Sequence, residues 1–375
     1  MINFISNLPC ELRSGGFSGL NVAAFEAVRR FTDVHYGGPI NPPVFAPEQL
    51  RSKLLRVAGL AGDFFFFSDR RLRAIARDVE AQSSAQAELD CFHGFTPWVL
   101  TTSKRPYVAW SDCTFRDYIT VYHRREQFRD QDLRRIELAE ARWLRNARRV
   151  MFTSDWAARR AANDYHLDEG QVRVLGVCGQ IEVPTCDAYV GGRDFAFVAT
   201  NFEAKGGRTV LAAFREVRQL HPDASLTVVG DRPSGIGSPA GVTFVGFLRK
   251  EVPAELERYR EVLGRARALV HPTQSDIAPL LAIEAGYFGC PVISSKKFAI
   301  PELVDDGTTG LLLNDPSQAT AVAGAMNWML ERDDEYAEMR QAAWTKAHHQ
   351  HAKWQFEERL LSSVRDVMAE GMPAA

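Results

Sequence analysis

The sequence predicts an α/β fold with two parallel-sheet domains facing across a cleft, and three observations predict it. The second half alternates short apolar strands with amphipathic helices, the strands expected at 195–199, 226–229, 242–245, 268–270, 292–294 and 310–313. Steady βα order of this kind implies a parallel sheet covered by helices. The first half alternates less regularly, with strands expected at 3–8, 89–94, 106–112, 149–154 and 171–177. The chain of 375 residues is long enough for two domains of ordinary size. The run 183–192, rich in turn formers, reads as a linker, so domains are expected at 1–187 and 188–351, followed by a closing helical segment at 352–375.

Composition narrows the function classes. Charged residues make up 25% and hydrophobic residues 46%, as in soluble globular proteins, and the net charge of −2 gives no global pull toward nucleic acid. No apolar run reaches the ~18 residues of a membrane span. The stretch 1–8 lacks a basic leader region and reads as a first strand rather than a signal peptide. Six scattered cysteines without a Cys-x-x-Cys pair fit reduced thiols in a cytoplasmic protein.

In the first half, strand 3–8 leads into a glycine loop containing Gly15 and Gly16. A helical stripe of Leu20, Ala23, Ala24, Ala27, Val28 and Phe31 follows. Glycine lets backbone approach a phosphate, although a Gly-Gly pair is more often just a turn and this one matches neither dinucleotide nor P-loop fingerprints. The region 51–77 holds seven basic and two acidic residues around Phe64-Phe65-Phe66-Phe67. One reading is a buried strand flanked by solvated helices. The other is a basic, partly apolar surface that rests on anionic lipid or holds a lipid-linked acceptor. His93 and Asp112 stand at the carboxyl edges of strands 89–94 and 106–112, where ligands of open parallel sheets bind. Both also suit packing or capping. Ser154 caps a helix expected at 155–165.

In the second half, Lys205 sits at the mouth of a helix that begins near residue 206, where a cation meets a diphosphate or is merely solvated. Gly246 and Phe247 follow strand 242–245. The most informative stretch begins at strand 268–270. Asp276 lies in the loop that follows, Pro279 suits the first turn of the next helix, and Glu284 falls about one and a half turns inside it. Helix-start amides form an anion site, here with a carboxylate on each side. A nucleoside diphosphate sugar has the matching layout, a phosphate centre with hydroxyl-bearing sugars at both ends. The plain alternative is an ordinary strand–loop–helix with Asp276 as a cap and Glu284 as a solvated charge. Asp305-Asp306-Gly307 is turn chemistry, and His348, His349 and His351 read as helix surface, so no metal is expected.

Asp276, seven intervening residues, Glu284-Ala285 and then Gly289-Cys290-Pro291-Val292-Ile293-Ser294 resemble the paired-acid motif of retaining GT-B glycosyltransferases of the family 4, or group 1, type. Asp276 stands where that family usually has Glu. The resemblance is strong over 195–313 and looser before it. It implies the GT-B fold, two Rossmann-like domains, with the last helix crossing back to the first. It implies that Glu284 accepts ribose hydroxyls and Asp276 holds hydroxyls of the sugar. Amides around Ala278, Pro279 and Leu280, with Lys205 and the Gly15–Gly16 loop, would face the diphosphate. Thr200 or Asn201 stands where the family often has Arg. Gly246 and Phe247 match the base-binding loop, Asp112 lies where the acceptor hydroxyl is positioned, and His93 joins it as a catalytic candidate. The activity implied is metal-independent, retaining transfer of a sugar from a UDP- or GDP-linked donor to a carbohydrate or lipid-linked acceptor. No cofactor beyond the donor is implied, and no nucleic acid. The location expected is the cytoplasm, with contact of 51–77 with the inner face of the membrane standing as one of the two readings of that region. The alternatives are a non-catalytic sugar-nucleotide binding subunit and another GT-B activity such as an epimerase.

Overall fold

The computed structural model describes residues 1–11, 17–237 and 239–370. Two compact units divide the chain. Among the described residues the first comprises 1–11, 17–176 and 356–370, and the second 177–237 and 239–355.

The first unit is built on a six-stranded sheet of β1 (Ile2–Ile5), β2 (Val34–His35), β3 (Leu89–His93), β4 (Tyr107–Ser111), β5 (Arg149–Phe152) and β6 (Val172–Val174). All neighbours pair in parallel, in the order β2-β1-β3-β4-β5-β6. Its helices are α1 (Phe17–Phe31), α2 (Ala46–Val57), α3 (Asp69–Gln82), α4 (Phe115–Tyr122), α5 (Asp130–Arg145) and α6 (Asp155–Tyr165). Strands β3 and β4 are buried throughout, and apart from Asp90, His93 and Ser111 their residues are apolar or aromatic. The Ser154 side chain accepts from the Ala157 amide at 3.2 Å and starts α6 at the expected residue. One expectation is overturned: Phe64–Phe67 is not a strand. Ser68 caps α3 immediately afterwards, leaving room only for a 3₁₀ turn at Phe65–Phe67, in which Phe64 and Phe67 pack inward and Phe66 is exposed.

The second unit carries β7 (Asp194–Val198), β8 (Ser225–Val229), β9 (Val242–Gly246), β10 (Ala268–His271), β11 (Val292–Ser295) and β12 (Gly310–Leu313). These too are parallel, in the order β12-β11-β10-β7-β8-β9. Counted from the other edge, that is the 3-2-1-4-5-6 order of doubly wound nucleotide-binding sheets. Its helices are α7 (Gly207–Leu220), α8 (Pro253–Arg265), α9 (Leu280–Tyr287), α10 (Ile300–Leu303), α11 (Ala319–Glu331) and α12 (Asp333–Gln350). Helix α7 buries Val210, Phe214 and Val217, at the expected helical spacing, against Phe195, Phe197 and Met326. The last helix, α13 (Lys353–Glu370), packs Phe356 against Trp110 with ring centres 5.9 Å apart.

The expected boundaries at 187/188 and 351/352 differ from the divisions at 176/177 and 355/356. The intervening residues are tied to the second unit. Gly179 donates to the Tyr287 hydroxyl at 2.9 Å, and Asp187 pairs with Arg340 at 2.7 Å. His351, expected at the surface, is buried, with Nδ1 3.2 Å from the Val177 carbonyl and its own carbonyl accepting from Tyr287 at 2.6 Å.

Candidate functional site

In an open α/β sheet the chain reverses direction at one point, and the loops leaving the strands there open a crevice. In the second unit that point lies between β7 and β10. The loop after β7 carries Lys205 and the loop after β10 carries Asp276. The Lys205 Nζ meets Asp276 Oδ1 at 2.6 Å and the Ser275 carbonyl at 3.0 Å. His271, the last residue of β10, holds the other oxygen of Asp276, Nε2 to Oδ2, at 2.9 Å. So Asp276 is not the cap of α9, and Lys205 is not a solvated lysine. Burial raises the Asp276 carboxyl, but the hydrogen bonds and charges of His271 and Lys205 outweigh it and hold the group below its usual range, ionised.

The loop itself is fixed. The His271 carbonyl accepts from the Ser294 hydroxyl at 2.8 Å and the Thr273 amide at 2.7 Å, and the Ile277 carbonyl accepts from the Ala299 amide at 3.1 Å. Pro279 stands just before the first turn of α9, not inside it, and has no N–H to offer. Helix-start donors therefore come from Leu280 and Leu281, with the Ala278 amide before them. The close approach of the two loops needs glycine at 206. Its φ is +82°, and a Cβ there would lie 2.8 Å from the Pro272 carbonyl oxygen.

Glu284 departs from the plain alternative. It is 0% exposed, so it is not a solvated charge. Its oxygens accept from Lys250 at 2.5 and 2.7 Å, Tyr259 at 2.6 Å and the Gln180 amide at 2.8 Å. Four bonds occupy about all the lone pairs of a carboxylate. Burial, together with the Glu284 charge, pushes the Tyr259 hydroxyl well above its ordinary value, so it stays a donor. Asn201 is exposed, and its side chain accepts from the Ala204 amide at 3.0 Å, closing the turn before Lys205. Gly246 ends β9 at φ +78°, its carbonyl accepting from the Gly230 amide at 2.9 Å, and Phe247 beside it is exposed.

In the first unit the chain reverses between β1 and β3. Ser6 follows β1, His93 ends β3, and the Ser6 hydroxyl lies 3.1 Å from His93 Nδ1. The His93 ring stacks on Phe17 at 4.6 Å and lies 4.4 Å from the Trp110 ring. Burial lowers its pKa to about 3, so it is neutral. Asp112 is half-buried after β4, next to the Ser111 hydroxyl, and desolvation raises its pKa. Gly15 and Gly16 lie outside the described residues.

Sequence reasoning missed four groups. His271 carried a signal, since it ends a strand just as His93 does. Lys250, Tyr259 and Gln180 carried none, because they converge on Glu284 only through the fold. A fifth missed group, Glu140 in the first unit, carried a signal as a charge inside the stripe Leu133, Ile136, Leu144 of α5. It is fully buried and accepts from Thr96 and the Phe115 amide at 2.6 Å and from Tyr165 at 2.9 Å. Burial raises it to about 7.

Comparison with known proteins agrees with the sheet order. Residues 187–346 match the family described as Glycosyl transferases group 1. The D-inositol 3-phosphate glycosyltransferase of Corynebacterium kroppenstedtii is 27% identical over 190 residues, 47% of this chain and 41% of that protein. That of Corynebacterium aurimucosum is 31% identical over 160 residues, 40% of this chain and 37% of that protein. The match thus spans well under half the length of these relatives. Among solved structures, sucrose-phosphate synthase from Thermosynechococcus elongatus superposes with a TM-score of 0.69 at 18% identity, covering 98% of this chain and 99% of that one. Anabaena HepE in complex with UDP-glucose gives 0.64 at 15%, covering 97% and 99%. The chain has the GT-B fold, and its second unit matches the glycosyl transferases group 1 family over residues 187–346.

Proposed function

We propose that the protein is a glycosyltransferase that moves a sugar from a nucleoside diphosphate sugar to an acceptor hydroxyl with retention of anomeric configuration. The observation that carries this reading is the pairing of Lys205 with Asp276, steadied by His271, where the second sheet changes direction. A uridine diphosphate donor is the first choice, because the similarly folded HepE was solved with UDP-glucose.

In this mechanism Asp276, held ionised, accepts hydrogen bonds from hydroxyls of the donor sugar. Lys205 and the amides of Ala278, Leu280 and Leu281 stabilise the charge that grows on the departing diphosphate. Preorganised donors of this kind are usually the largest catalytic contribution. The leaving phosphate takes the acceptor proton, and neither a protein nucleophile nor a metal is required. Asp112 and neutral His93 serve the acceptor side, and Gly246 and Phe247 meet the base. Glu284 with Lys250 and Tyr259 holds α9 in place, so its contribution to donor binding is chiefly through position.

The test is release of nucleoside diphosphate from a panel of donors, with and without acceptor hydroxyl compounds, inositol phosphate among them. Release that depends on acceptor supports transfer. Tight donor binding without release, across the panel, supports a non-catalytic binding subunit.

A further inference from the structure

Helix α2 carries three of its four large apolar side chains on the face turned away from the core, Leu55 being half-buried. Leu50, Leu54 and Val57 are 57, 60 and 79% exposed, and Leu60, just beyond the helix, is 59% exposed. At about 100° per residue the first three fall within an arc of about 60°. Ser52 lies on the opposite side, fully buried, its hydroxyl donating to the Asp63 carbonyl at 2.8 Å. An ordinary surface helix has the reverse arrangement. The stripe is edged by exposed cations, Lys53 on one flank and Arg51 on the other. The neighbouring helix α3 adds exposed Arg70, Arg73 and Arg77, and Ser68 at its cap bonds Glu48 of α2.

We infer that this face docks on an anionic lipid surface, with Leu50, Leu54, Val57 and Leu60 entering the headgroup boundary and the flanking cations meeting lipid charge. An apolar stripe bordered by Lys and Arg is the pattern of helices that lie in the interface plane. Each basic residue near such a surface contributes attraction that falls off within a Debye length. Charge selects lipid over a second copy of the chain. A two-fold contact would bring α2 against itself and juxtapose Arg51, Lys53 and Arg56 with their own copies. Residues 51–77 carry seven basic and two acidic side chains in a chain whose net charge is −2.

The experiment is vesicle flotation of the full chain. Vesicles of phosphatidylcholine containing about 30% phosphatidylglycerol should carry the protein, and vesicles of phosphatidylcholine alone should carry several-fold less. The double variant Leu54→Glu/Val57→Glu should lose at least tenfold in binding, and Lys53→Glu a few-fold. Leu138→Glu, on the exposed side of α5, should bind like the unaltered protein, and unchanged thermal unfolding confirms that each variant folds. Failure to float on anionic vesicles overturns the inference, as does equal binding by the double variant. So does a dimer, seen by light scattering, that the double variant dissolves. The result does not depend on catalysis, so its failure leaves the transferase reading untouched.

Discussion

Asp276 shows how one carboxylate acquires a role. Its two oxygens are held separately, one by Lys205 and one by His271, so the group is aimed as well as ionised. Asp276→Asn keeps the shape and loses the charge. It is expected to lower kcat by about 10²–10³ with little change in donor affinity, read from initial rates over a donor titration. Because the folded pKa of Asp276 lies below its ordinary 3.8, its electrostatic contribution to stability is present above that pH and is lost only as pH falls through the folded value. Glu140 has the opposite sign. Its ordinary value is 4.5 and burial raises it to about 7, so the folded state holds a proton that the unfolded state has released. Stability therefore falls as pH rises from 4.5 to 7, by about 3 kcal/mol at most. Glu140→Gln should flatten the melting temperature across pH 5–8, and an unchanged slope would count against this assignment.

At the scale of elements, the site depends on two loops approaching closely and one helix being held from behind. Gly206→Ala adds a Cβ 2.8 Å from the Pro272 carbonyl in a left-handed conformation. It should destabilise the protein by about 1–3 kcal/mol in denaturant titration and lower transfer activity, since Lys205 is its neighbour. Lys250→Ala would leave the buried Glu284 without its cation. A loss of about 3–5 kcal/mol is expected, measured the same way. Legibility differed sharply among these elements. Helix α7 announced itself through Val210, Phe214 and Val217, and α6 through its Ser154 cap. Phe64–Phe67 misled, because four consecutive apolar residues suit a strand until the cap at Ser68 leaves too little room. Asp276 and Lys205 were readable from strand ends and helix mouths. The support of Glu284 was not, because Lys250, Tyr259 and Gln180 come from separate parts of the chain.

At the scale of the molecule, each unit is a parallel sheet whose direction reverses once, and each reversal gathers polar side chains: Ser6 and His93 in the first, Lys205, His271 and Asp276 in the second. The alternation of strands and helices was visible in sequence, as was the existence of two sheets. The division of the chain was not, because the run 183–192 reads as a linker, yet Asp187 within it bonds to α12 and Gly179 and Gln180 before it bond to α9. The most direct test of the donor site is a calorimetric titration of UDP-glucose into the unaltered protein and into Lys205→Ala. Binding should weaken at least tenfold in the variant, and a concentration of a hundred times the dissociation constant should stabilise the unaltered protein by about 2.7 kcal/mol. Equal affinity in the two proteins would place the diphosphate elsewhere and contradict the account.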